Sequence, residues 1–166
     1  MNQLQIFSLS GIPEIQPGDD LSSILIHTME QESFTPLAGD IFVLAHKIVS
    51  KAEGRVYHLP DVSPSSEAVR LGEITGKPPA LVELILRESQ RILYAARQGY
   101  LLSQHRLGFV CANAAVDCSN AGHENAILLP LQPDQSARQL RSALEAQFQS
   151  RFGVIICDTH GKPFRE

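Results

Sequence analysis

An α+β fold, a mixed sheet with helices packed against it, is predicted by three features of this 166-residue sequence. Five short apolar runs rich in β-branched residues stand apart at 4–9, 41–45, 55–59, 108–111 and 153–157. Longer stretches between them repeat apolar side chains at helical spacing. The two kinds alternate in places but are interrupted by a hairpin-like segment at 92–105, which argues against a purely parallel, doubly wound sheet.

The first helix is predicted at 21–31, capped by Asp19 or Asp20, with Leu21, Ile24, Leu25 and Met29 at helical spacing. A second at 65–76 ends at Gly76, a residue suited to a helix C-terminus. After Pro78-Pro79, residues 80–88 place Leu81, Leu84 and Ile85 on one face. Asp134 is the expected cap of a last helix, 135–148, whose Ala137, Leu140, Ala143, Leu144 and Phe148 form an apolar stripe. There is no internal repeat and no Ser/Gly-rich linker, and residues 1–166 read as one domain.

With 43% hydrophobic and 19% charged residues, the chain has the means to bury a core. Its 14 basic and 18 acidic side chains give a net charge of −4 and form no long run of one sign, which disfavours a nucleic-acid partner. No stretch approaches the ~20 apolar residues of a membrane span, and the start lacks a secretory signal, so the expected location is cytoplasmic. Cys111, Cys118 and Cys157 form no CxxC pair and read as reduced thiols, Cys111 and Cys157 as small buried hydrophobes within strands.

Neither GxxxxGK[ST] nor GxGxxG occurs, so a phosphate would have to be held by side chains and main chain at strand ends. Two aspartates have that placement. Asp117 follows the 108–111 strand in Asp117-Cys118-Ser119-Asn120, and Asp158 follows the 153–157 strand in Asp158-Thr159-His160-Gly161. Carboxylate and hydroxyl oxygens suit magnesium or manganese beside a substrate phosphate. Asp, Asn, Ser and Thr also bond their own backbone in turns, and spacing alone favours that plainer reading. Lys47 and Lys51, four apart, would share one side of a helical turn, either neutralising a polyphosphate or lying on a solvated face. Residues 11–19 make a stiff loop that either frames a planar ligand through its backbone or only connects two elements. None of the six histidines has metal-ligand spacing with another; His46 and His160 stand beside the candidate positions, with an ordinary surface role expected for each.

In order along the chain, Gly11-Ile12-Pro13-Glu14-Ile15, the run 47–55, Gly76-Lys77, 81–86 with Glu88-Ser89, 108–120, Leu128-Leu129-Pro130, 133–137 and 158–165 together resemble the coenzyme F420-0:L-glutamate ligase (F420 gamma-glutamyl ligase) family. The resemblance implies an uncommon α+β fold and a GTP-dependent ligase that adds L-glutamate to the deazaflavin precursor of coenzyme F420. The expected route is an acyl phosphate, with magnesium or manganese at two sites, a response to potassium, and a homodimer. By the same resemblance, Ile12, Pro13, Glu14, Ile15, His46, Lys47, Lys51 and Asn120 match nucleotide-binding positions. Asp117 and Asp158 match ligands of one metal and Thr159 a ligand of a second. Ala115 stands where the family usually has glycine, His160 and Lys162 replace Phe and Arg, and Phe164 replaces Trp. The sequence stops at Glu166 while the family's pattern continues, so the second metal site is expected to be incomplete within it. Two alternatives stand beside the ligase: a non-catalytic nucleotide- or metal-binding module or split subunit derived from it, and an amide ligase with another acceptor.

Overall fold

In chain order the elements are α1 (Leu21–Gln31), β1 (Ile41–Ala45), α2 (His46–Ala52), β2 (Val56–His58), α3 (Ser66–Thr75), α4 (Pro79–Arg87), β3 (Ser89–Ala96), β4 (Tyr100–His105), β5 (Val110–Ala112), β6 (Asn125–Ile127), α5 (Pro133–Phe148) and β7 (Gly153–Cys157). This computed structural model describes residues 4–97 and 99–158. They form two compact units, one built from residues up to Gly54 together with those from Pro130 onward, the other from Arg55–Leu129. The α+β class is as expected, with parallel and antiparallel pairings divided among three small sheets.

The discontinuous unit begins with α1, started by Asp20. Its carboxylate accepts from the Ser22 and Ser23 N–H groups at 3.0 and 3.4 Å and from both hydroxyls, which holds it down at about 2. The apolar face of α1 buries Leu21, Leu25 and Met29 against Leu44, Val49, Leu140, Leu144 and Phe152. β1 pairs in parallel with β7, from Ile41↔Gly153 to Ala45↔Cys157. Phe42, Leu44, Val154 and Ile156 turn toward this core, while Ile41, Val43 and Ile155 face outward. Phe152 anchors it edge-on to both Phe42 and Phe148, at 5.4 and 6.1 Å between ring centres.

Three expectations for this unit fail for identifiable reasons. Residues 4–9 form no strand: among the described residues no segment supplies a ladder, and Ile6 is 86% exposed. Cys157 is exposed, not buried, because alternate residues of β7 point away from the core. Asp134 is not the cap of α5. Gln132 occupies that position and Pro133 the first turn, leaving Asp134 where its charge favours the helix N-terminal dipole.

In the contiguous unit, Ser65 caps α3 by accepting the Ala68 N–H at 3.2 Å. Gly76 ends the helix at φ 74°, where other residues are strained. α3 and α4 bury Ala68, Leu71, Val82, Leu84 and Ile85 with Val62, Leu101, Ala126 and Leu128. The expected hairpin is β3–β4, extended by β5, and β2 pairs with β6, a strand too short to show in sequence. β5 begins two residues after the expected start because Gly108, at φ 97°, belongs to the turn.

Glu88 is the electrostatic centre of this unit. Only 6% of its side chain is exposed, yet Arg55 Nη2 lies 2.7 Å from Oε1 and Arg106 Nε 3.0 Å from Oε2. Burial pushes its pKa up; hydrogen bonds from His105 and Arg55, with the Arg55 charge and the Arg106 bond, outweigh it and hold the carboxyl at about 2. His105, fully buried and stacked on Phe109, accepts the Leu107 N–H at Nδ1, which leaves its proton on Nε2, 3.5 Å from Glu88. The Arg55 guanidinium also donates to the Leu129 carbonyl at 3.0 Å and to the Tyr57 hydroxyl at 3.2 Å.

Ahead of Asp117 the backbone carries three consecutive left-handed residues, Asn113, Ala114 and Ala115, at φ 53°, 48° and 55°. Each costs on the order of 1 kcal/mol for a residue with a Cβ.

Three outcomes are expected from chemical denaturation. Glu88→Ala lowers stability by about 3–5 kcal/mol, because it strands Arg55 as a buried, uncompensated charge. With a folded value of about 2 against an ordinary 4.5, Glu88 contributes about 3 kcal/mol that is fully present above pH 4.5 and lost as pH falls toward 2. At Ala115, a glycine leaves stability within about 1 kcal/mol of the original, while valine costs about 1–2 kcal/mol or more, since a β-branched side chain tolerates the left-handed region least.

Candidate functional site

Parallel strands that end level deliver whatever follows them to the same place. Ala45 pairs with Cys157, and the next residues, His46 and Asp158, are neighbours: His46 Nε2 stands 3.3 Å from Asp158 Oδ1. The exits of parallel strands are where α/β sheets commonly hold ligands. His46 opens α2 and is 3% exposed, so it is a buried histidine and not the surface one expected. Its Nδ1 lies 3.2 Å from the hydroxyl of Ser50, one helical turn on and fully buried. The Asp158 side chain remains 31% exposed.

Lys47 and Lys51 are a turn apart on α2, both half-buried. Lys51 Nζ lies 2.5 Å from Glu14 Oε1. That contact brings in the 11–19 loop, which is also fastened by the Gly18 N–H to the Ala52 carbonyl at 2.8 Å and by the Gln16 N–H to Asp19 Oδ2 at 2.7 Å. Ile15 is buried and Ile12 packs on the same core, so these two residues present backbone, not side chains, to any ligand. Among the described residues, no hydrogen bond engages the main chain of residues 11–15. The stiff loop is thus a row of open peptide groups beside a cationic helix.

Asp117 and Asn120 belong to the other unit. Asp117 forms an isolated antiparallel bridge with Ile127, its N–H and C=O bonded at 3.0 and 2.8 Å. Its carboxylate accepts the Ser119 N–H at Oδ1 and the Ser119 hydroxyl at Oδ2, both at 2.7 Å. The self-bonding turn foreseen as the plainer reading is therefore present at Asp117. Each oxygen spends one acceptor position on it. Asn120 is exposed in a left-handed conformation, φ 55°. Burial first and the Asp117 charge second push the neighbouring Cys118 thiol above its usual range, which argues against a nucleophilic role.

Of the residues singled out in sequence, Ile12, Pro13, Glu14, Ile15, His46, Lys47, Lys51 and Asp158 lie in the discontinuous unit, where Glu14, Lys51, His46 and Asp158 are linked by the contacts above. Thr159 lies outside the described residues. Among those described, no group of three or more His, Cys, Asp and Glu side chains is gathered for a metal. The carboxylates at Asp117 and Asp158 are hard oxygen donors of the type magnesium and manganese take, and Asp158 is accessible. Sequence reading passed over Ser50. Its signal was the four-residue spacing from His46, which puts both on the buried side of α2.

The chain is similar to known proteins over nearly its whole length. The chain is 41% identical over 163 residues to the coenzyme F420:L-glutamate ligase of Methanothermobacter thermautotrophicus, covering 98% of this chain and 64% of that protein. It is 44% identical over 153 residues to the protein of the same name from Methanopyrus kandleri, covering 92% and 58%. With that from Archaeoglobus fulgidus it shares 36% over 163 residues, covering 98% and 63%. The chain thus spans 58–64% of the length of these curated relatives. A family model described as F420-0:Gamma-glutamyl ligase matches residues 11–166. The chain belongs to the F420-0:gamma-glutamyl ligase family.

Proposed function

We propose that this chain takes part in joining L-glutamate, through its amine, to a carboxylate of the coenzyme F420 precursor, at the expense of GTP. The observation that carries the reading is the grouping of Glu14, Lys51, His46 and Asp158 around α2 at the exits of β1 and β7. The names of its relatives supply glutamate and F420 as the substrates to be tested.

Amide formation from a carboxylate requires loss of an oxide that water-stable acids do not give up. In the proposed sequence a carboxylate oxygen of the precursor attacks the γ-phosphorus of GTP, and GDP leaves. The glutamate amine then attacks the acyl carbon, a proton is lost from nitrogen, and inorganic phosphate departs. Charge neutralisation and alignment dominate such a transfer. Lys47 and Lys51 place two ammonium groups where a polyphosphate meets the open peptide groups of residues 11–15. The Lys51 ammonium has three donors, so Glu14 can hold it in place while the others meet phosphate. Asn120 is a further proposed nucleotide-binding residue. Asp117 and Asp158, with Thr159, are the residues that would hold magnesium or manganese. The metal, once bound, supplies further neutralisation of the transferring phosphoryl group. A potassium response, a homodimer and a cytoplasmic setting complete the proposal.

The test is GTP-dependent formation of the γ-glutamyl product with release of GDP. Lys47→Met and Lys51→Met are expected to raise the KM for GTP about tenfold or more, and Asp117→Asn and Asp158→Asn to lower kcat by about 10²-fold or more. Undiminished transfer in both aspartate variants overturns the metal assignment. Calorimetric titration with GTP and manganese adds a second readout: tight binding without turnover reduces the proposal to a nucleotide-binding module.

A further inference from the structure

We infer that His46 is a positioning residue for Asp158 and that its imidazole does not contact nucleotide. The inference rests on the proposed metal role of Asp158 and adds a residue to that site. The ring is 3% exposed, which leaves no face for a base or a phosphate. Both of its nitrogens lie near protein groups, Nδ1 at 3.2 Å from the Ser50 hydroxyl and Nε2 at ion-pair distance, 3.3 Å, from Asp158 Oδ1. Ser50 is wholly buried and one turn along the same helix; in the tautomer we infer, its hydroxyl donates to Nδ1 and the imidazole proton is on Nε2, on the Asp158 side. Asp158 is the first residue past the end of β7. A carboxylate that serves a metal gains from a partner that fixes one oxygen and leaves the other directed outward, and such partners typically change metal affinity about 10–100-fold.

Three substitutions separate positioning from mere filling of space. His46→Asn keeps a polar group near the Nδ1 position, within reach of Ser50, but is too short for Asp158. His46→Gln reaches the Nε2 position and presents a donor to Asp158. His46→Leu fills the cavity with neither. Manganese affinity is read by electron paramagnetic resonance on the unaltered chain and on each variant, with thermal melts to establish folding. Asp158→Asn is expected to weaken manganese binding. His46→Asn and His46→Leu should weaken it about 10–100-fold, and His46→Gln should restore most of the loss. Equal affinity for the Asn and Gln variants, or full affinity in any folded variant lacking the donor, overturns the inference; if the leucine variant does not fold, the Asn–Gln comparison decides alone. Manganese binding that Asp158→Asn leaves unchanged, or none by the unaltered chain, instead overturns the metal reading of Asp158 and the inference with it.

Discussion

The contiguous unit depends on one buried charge pair, Arg55 with Glu88. Arg55 is the first residue of that unit and Leu129 the last, and the guanidinium that meets the Glu88 carboxylate also donates to the Leu129 carbonyl. The Arg55 carbonyl in turn accepts the Leu128 N–H. A single side chain thus ties the two ends of the unit together and fixes them to the end of α4. An arginine this deeply buried is tolerable only beside a permanent anion, and Arg106 and His105 complete the remaining acceptor positions of Glu88. The unit is closed by electrostatics where a longer strand pair would ordinarily do the work.

The discontinuous unit is organised differently. Its two parallel strands end in register, so one geometric fact places both the start of α2 and Asp158. The cationic turn, the buried imidazole and the exposed carboxylate all derive from that register. A slip of two residues would separate His46 from Asp158 without altering which face of β7 is buried, so register here specifies the site more strictly than it specifies the core.

Periodicity made most of the fold legible. α1 is found at its expected limits because apolar spacing, a capping aspartate and the lack of any competing pattern agree. The 153–157 run is a strand for the same reason. Residues 4–9 have an equally persuasive apolar pattern, but a strand is a property of two segments, and among the described residues none pairs with them. The burial of His46 and His105 was not legible either: each is admitted to the interior by a specific partner, Ser50 or the Leu107 amide, that composition cannot announce. At the site, the two lysines and the strand-exit position of Asp158 were readable from local order. The pairing of Glu14 with Lys51 was not, since it joins residues far apart in sequence. Asp117 illustrates a third case, where the local turn and a ligand role are compatible and the sequence displayed only the turn.

The order of segments within the two units has a consequence for biosynthesis. Every contact of the Arg55–Leu129 unit is available as soon as Leu129 has left the ribosome. β1, by contrast, must wait for β7, its partner across the whole intervening unit. Long loop closure is slow, and domains tend to fold as their residues emerge. The nascent chain therefore completes its middle first, holding Ile41 and Val43 in an unpaired strand meanwhile. Because Arg55 draws the ends of that middle portion together, its early folding shortens the effective loop that β1 and β7 have to close, and the later-made strand meets a template already brought near.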